Sequence, residues 1–256
     1  MRRWSGRAVV VIAAALMVLI VFVQVEQLLI RHRAERLTRE MQNLQVGKSS
    51  WIDVQSFMTR WGRWGDYKGS CSASHCDYVV ELEDPIGTAF NSLAEKHQGA
   101  AKIFGGFLEF LVRVAHGHLP AMSAEIKVER GLVSDVDWAI GTYVIDSFDV
   151  HTSYAISVIV RTSNDEFHDF ETVGRQHPTY SVTRSSNCGG CILWVHFHPD
   201  VQRDDMRRLT DINFSCITQW AQCDNTEQLD PNAVSILKAD IKAVMREYKE
   251  GLKTTP

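Results

Sequence analysis

Residues Ala124 to Ile140 read AEIKVERGLVSDVDWAI, and the fold class turns on this stretch. Ile126 and Val128 alternate with charged residues up to Arg130-Gly131, and Val136, Trp138 and Ile140 resume the alternation beyond it. A period of two sends successive side chains to opposite faces of a strand, so two such runs around a short glycine-containing break predict a β-hairpin. Moving outward, Asp77–Glu83 alternates in the same way, as do Tyr154, Ile156, Val158 and Val160. Tyr180 with Val182, and Leu193 with Val195 and Phe197, predict two further strands. The segment Asn164–Glu171 (NDEFHDFE) reads as a solvated loop.

Helical periods flank this block. Ser50 and Asp53 have capping-box spacing ahead of Trp51, Val54, Phe57, Met58 and Trp61, with Gly62 as the stop. Asp84-Pro85 opens a helical stretch, and the pattern resumes over Ala101–Ala115 with Phe104, Phe107, Leu108, Leu111 and Val114 on one side. Asp230-Pro231 caps a last helix with Val234, Leu237, Ile241, Val244 and Tyr248 inward, stopped by Gly251. The expected class is α+β: an N-terminal transmembrane helix followed by a domain with an antiparallel β-sheet and flanking helices.

The membrane segment is Ala8 to Val23, AVVVIAAALMVLIVFV, sixteen apolar residues without a break. Those cover about 24 Å as a helix, and Leu28, Leu29 and Ile30 extend the apolar character toward full hydrocarbon thickness. Glu26 then falls near the headgroups, and Trp4 suits an interfacial anchor. The run ends in VFVQVEQLL without a small-x-small cleavage site, which favours an uncleaved signal anchor over a removed signal peptide. Three arginines precede the segment and four follow it, so orientation rests on the shortness of the leading tail. Glu35 and Glu40 are spaced to pair with Arg39 and Arg36. The expected layout is a cytoplasmic tail at 1–7, a signal-anchor helix at 8–30, an amphipathic stalk at 31–44 and an extracytoplasmic domain at 45–256. Ile30, Leu37, Met41 and Leu44 give that stalk one apolar stripe, suited to packing on the domain or pairing with a second copy.

Charge divides unevenly along the chain. Residues 1–39 hold seven arginines and two glutamates, leaving 20 basic and 29 acidic residues in 40–256. An acidic domain repels phosphate backbones, so no nucleic-acid partner is expected.

The opening of the domain, Leu44–Gly62, resembles the start of the small outer-membrane assembly lipoproteins and of the β-lactamase-inhibitor-type fold. In those proteins a leucine-x-x-glycine and a helix-starting serine or threonine open a helical pair before an antiparallel sheet. The resemblance covers under a tenth of the chain. It implies a non-enzymatic binding role and transfers no functional residue.

Six cysteines stand at Cys71, Cys76, Cys188, Cys191, Cys216 and Cys223. An even count in an exported domain reads as a disulfide framework, with Cys71–Cys76 favoured by proximity. Cys216 and Cys223 would lie about 10 Å apart on a continuous helix, beyond disulfide reach, so they bond only if the helix ends between them or if they pair with Cys188 and Cys191. The segment CGGCILWVHFH offers a sharper possibility. Cys188 and Cys191 have the spacing of a redox pair or zinc knuckle, and His196 and His198 share a strand face with Trp194. A metal held by those two imidazoles needs a third ligand, with Asp200, His168 and Cys191 as candidates. His116 and His118 lie in a glycine- and proline-containing loop and carry less weight.

The chain lacks GxSxG, HExxH, phosphate-loop, dinucleotide-fingerprint and EF-hand signatures. Asp135 and Asp137 share one strand face, where they would meet water unless a cleft covers them. The expected function is that of a membrane-anchored envelope protein whose domain binds an unidentified protein or envelope component, without a cofactor. Metal binding or thiol-redox chemistry in the CGGC and HFH segment is the alternative.

Overall fold

The computed structural model describes residues 2–83, 120–144, 154–164, 177–185, 191–218 and 223–254. The helical stretches expected over 84–119, the loop at 165–171, the histidines at 116, 118 and 168, and Cys188 lie outside these residues.

The chain opens with one long helix, α1 (Arg2–Asn43). Its first half stands clear of the domain: Val9–Val11, Met17, Val18, Val21 and Phe22 are exposed apolar residues. Among the described residues α1 is the one helix long and apolar enough to cross a membrane, the length and composition that a single-pass membrane protein needs. Its second half is a core element. Val23, Gln27, Ile30, Ala34, Leu37, Thr38 and Met41 recur at intervals of three and four and are all buried. The apolar stripe therefore packs onto the domain, the first of the two arrangements expected for it. Arg31 bonds Glu35 at 2.7 Å and Arg36 bonds Glu40 at 3.0 Å. Arg39 instead donates to the backbone carbonyl of Glu35, because the Glu35 carboxylate turns toward Arg31.

A short connection leads to α2 (Trp51–Trp61). Its first turn is closed by the Asp53 carboxylate, which accepts from the Ser50 backbone N–H at 2.7 Å and the Ser50 hydroxyl at 2.9 Å. Val54, Phe57 and Trp61 point inward, and Phe57 meets Tyr78 edge to face at 6.2 Å. A junction forms where α2 crosses α1: Glu40 accepts from Arg36 Nε, Arg60 Nε and Trp61 Nε1, each at 3.0 Å. Partial burial pushes the Glu40 carboxyl up, but these three donors outweigh it and hold the group below its ordinary range.

Among the described residues seven strands come next: β1 (Gly65–Tyr67), β2 (His75–Glu83), β3 (Pro120–Glu129), β4 (Leu132–Val144), β5 (Tyr154–Ser163), β6 (Tyr180–Arg184) and β7 (Ile192–Phe197). They make one sheet in the order β1-β2-β3-β4-β5-β7-β6. The β3–β4 hairpin turns through Arg130 at φ 54° and Gly131 at φ 84°. Positive φ at both central residues matches the right-handed twist of the flanking strands. The fold is α+β as expected, and within its largely antiparallel sheet one pair, β5 and β7, runs parallel. The chain leaves β5, forms β6 at the sheet edge, and returns antiparallel to it as β7 in the space between. Strand periodicity does not encode that order. A bulge adds a further detail: Lys127 faces Asp135 and Val128 faces Val133, leaving Ser134 as the extra residue of β4. It lets Val133 and Val136 both point inward although three positions separate them.

One face of the sheet carries Tyr78, Ile126, Trp138, Val158, Val195 and their in-phase neighbours, all buried in one core that α1, α2 and the C-terminal helices cover. Short helices α3 (Arg203–Leu209), α4 (Ser215–Thr218) and α5 (Thr226–Leu229) then lead to α6 (Pro231–Thr254). Val234 and Leu237 of α6 are buried as its period predicts. Val244 and Tyr248 are exposed instead, because the helix outruns the core, and it continues past Gly251.

Candidate functional site

Turning the apolar positions of every strand inward sends the intervening positions to the other face, where register lines them up. Across β3, β4, β5 and β7 the row is Glu125, Asp137, Arg161 and His196, ending beside Ser181 of β6. The adjacent row is Asp77, Lys127, Asp135 and Ser163. Acids, bases and hydroxyls thus meet on a sheet face where few residues are fully exposed. Arg161 donates to Asp135 at 2.8 Å, and the Asp135 side chain is only 13% exposed. Lys127 and Lys68 reach Glu125 at 3.2 and 3.5 Å. Ser163 Oγ and the His196 imidazole Nε2 share a hydrogen bond of 3.1 Å.

Electrostatics single out one residue of this ladder. Burial and the neighbouring Asp135 carboxylate raise Asp137 to about 6, against the pull of Arg161. Glu125 and Lys127 go the other way: despite burial, each stabilises the other's charge, so Glu125 is lowered and Lys127 raised. An acid titrating near neutrality beside a fixed guanidinium can hold or release a proton. The alternation of β4 is enough to point to Asp135 and Asp137, but not to Glu125, Lys127, Arg161 and Ser163 as members of one site. The signal for those four is polarity at alternate strand positions, which shows only once the strands are in register.

A second feature lies at the opposite sheet edge. Trp51, Gln55, Met58 and Thr59 of α2 face Tyr67, Gly69, Ser70 and Cys71 across an open groove of about 550 Å³. The far wall is the loop after β1, fastened by the Cys71–Cys76 disulfide. Gly69, at φ 84°, turns this loop. The groove mixes aromatic, thioether, amide and hydroxyl groups and is open to solvent.

The residues named for metal or redox chemistry take separate positions. Cys191 is held in a disulfide, so its sulfur is not a free thiolate. His196 lies within β7 on the polar ladder, whereas His198 lies past the strand end and bonds Asp200 Oδ1 at 2.8 Å. Among the described residues no three His, Cys, Asp or Glu side chains converge as a metal site. Cys216 and Cys223 are bonded to each other with Cα atoms 5.2 Å apart. This is possible because α4 ends at Thr218, between them.

No family model matches this chain, and no curated protein or solved structure is significantly similar to it.

Proposed function

We propose that the chain is a signal-anchored envelope protein, with its N-terminus in the cytoplasm and an extracytoplasmic domain that binds a protein or envelope component without turning it over. The observation that carries this reading is the open groove between α2 and the disulfide-fastened loop, about 550 Å³ with a mixed lining. Such a surface suits one segment of a larger partner better than a small molecule that must be enclosed. Bridged cysteines fit an oxidising compartment. The resemblance of Leu44–Gly62 to small assembly lipoproteins favours the same kind of role.

Two measurements test it. Thiol trapping in intact cells with an impermeant reagent is expected to label nothing until a reductant is added. Labelling that needs permeabilisation but no reductant would reverse the topology. A photoreactive residue at Gln55 or Thr59 is then expected to form a discrete crosslinked product that the same group at Glu81 does not form. Equal products at both places would remove the groove as the binding surface.

A second reading has its own support in Asp137, which titrates near neutrality beside Arg161, with His196 one strand further along the same row. It makes the ladder an acid–base site. Turnover of a defined substrate by purified protein, lost in Asp137→Asn, would establish it and displace the binding role. The zinc or thiol-redox alternative on Cys188, Cys191, His196 and His198 draws less support from these positions. Elemental analysis of purified protein tests the metal half of it.

A further inference from the structure

The exposed apolar surface of α1 does not end where the domain begins. Val23 and Gln27 are buried by the domain, yet Val25, Leu28 and Leu29 on the other side of the same turns are 44–56% exposed. From Val9 to Leu29 the apolar surface is about 31 Å long at 1.5 Å per residue, which matches the hydrocarbon thickness of a bilayer. With Leu29 at the edge of the hydrocarbon, the domain shares the last turns of the span with lipid, and the turn of helix after Leu29 falls at headgroup height.

Arg33 lies one turn beyond Leu29, about 6 Å further along the helix. Its guanidinium is 4.9 Å from the centre of the Trp64 ring. Arg63, from the end of α2, brings a second guanidinium to within 5.6 Å of the same indole. The neighbouring arginines are paired: Arg31 with Glu35, while Arg36 and Arg60 share Glu40. Arg33 and Arg63 have no carboxylate partner among the described residues. Two guanidiniums held on one indole, neither paired with a described carboxylate, concentrate positive charge beside the anchor helix, and tryptophan itself favours headgroup depth.

We propose that Arg33 and Arg63, gathered on Trp64 at the foot of the domain, bind the phosphate of an anionic phospholipid in the leaflet that the domain faces. A zwitterionic lipid presents the same phosphate but brings an ammonium group toward the same guanidinium pair, so the site prefers phosphatidylglycerol to phosphatidylcholine. The inference rests on α1 crossing the membrane, and holds for either orientation and for any function of the groove. Resistance of the protein to carbonate extraction checks the crossing separately.

The test uses the full chain in nanodiscs of equal phosphatidylglycerol and phosphatidylcholine, with retained lipids counted by native mass spectrometry. Phosphatidylglycerol is expected to be enriched, and Arg33→Gln with Arg63→Gln is expected to lower the enrichment roughly tenfold. The charge-preserving pair Arg33→Lys with Arg63→Lys should keep most of it. Should the neutral pair fail to fold, Arg63→Gln alone, at an exposed position, is expected to give a several-fold drop. Equal retention of both lipids, or enrichment unchanged in the glutamine variants, would overturn the proposal. Loss of enrichment on adding millimolar inorganic phosphate at fixed ionic strength would also overturn it, since the site would then take free phosphate.

Discussion

Arg161 stands directly opposite Asp137 in the β4–β5 register while donating a 2.8 Å hydrogen bond to Asp135, two residues along the same strand. One guanidinium thus serves two carboxylates. Asp135 takes the close contact, and Asp137 is raised to about 6 by burial and by the Asp135 charge.

Linkage sets the sign of the consequence. A carboxyl that titrates near 6 when folded and near 4 when unfolded binds more protons in the fold between those values. Its contribution is therefore fully favourable below about pH 4 and is lost as pH rises toward 6. Asp137→Asn should flatten that part of the profile and raise stability at pH 8 by about 2 kcal/mol. Chemical denaturation at pH 5 and pH 8 checks this; a variant less stable than wild type at pH 8 would refute it.

Asp230 carries the same logic into a second location. It precedes α6, is fully buried, and accepts from the Ala233 backbone N–H at 3.0 Å. Burial outweighs that hydrogen bond, and with Asp211 raising it further the carboxyl titrates at about 7. Stability from this group declines as pH rises from about 4 to 7. Asparagine keeps the acceptor for Ala233 and removes the buried charge, so Asp230→Asn should stabilise at pH 8 by roughly 2–4 kcal/mol. Alanine, which removes the cap as well, should gain less by about 1 kcal/mol. Comparing the two melting temperatures at pH 8 separates charge from cap.

The hairpin turn offers a backbone test. Arg130 is the one non-glycine residue at positive φ among the described residues. That conformation costs an L side chain about 1 kcal/mol and costs glycine almost none. Arg130→Gly is expected to raise the unfolding free energy by up to about 1 kcal/mol, and Gly131→Val to lower it by more. Urea unfolding in detergent reads both, and opposite signs would show that the turn is held by side-chain contacts instead.

These positions also show which features can be read from the sequence. The hairpin is legible because Ile126, Val128, Val136 and Trp138 keep a strict period around a two-residue break. Val133 looks out of phase because the bulge at Ser134 shifts parity, and a bulge is a pairing event between two strands. The parallel β5–β7 contact is not legible, since a strand carries no mark of its neighbour. The ladder is half visible: Asp135 and Asp137 stand out in β4, but Arg161 and His196 join them only through register. The Cys216–Cys223 bond depends on where a four-residue helix stops, which lies within the uncertainty of any boundary drawn from propensity.

The junction between anchor and domain yields the last prediction. Composition places a domain boundary near Gln45, where the charged stretch after the apolar run gives way to capping and strand patterns. Packing places it more than twenty residues earlier, because Val23, Ile30, Ala34, Leu37 and Met41 are as buried as any strand residue. A chain beginning at Gln45 would expose the sheet face that these side chains cover, and losing a single such leucine costs about 2–5 kcal/mol. Such a chain is expected to be insoluble or molten, whereas one beginning at Val23 should unfold cooperatively once the membrane run is removed. In the full chain, Leu37→Ala should cost about 3 kcal/mol, and Leu28→Ala, on the exposed side of the same helix, almost nothing in detergent. Amide exchange over residues 30–44 decides the matter. Protection equal to that of the β3–β4 hairpin makes α1 part of the domain, and protection no better than that of a free helix would restore a separable stalk.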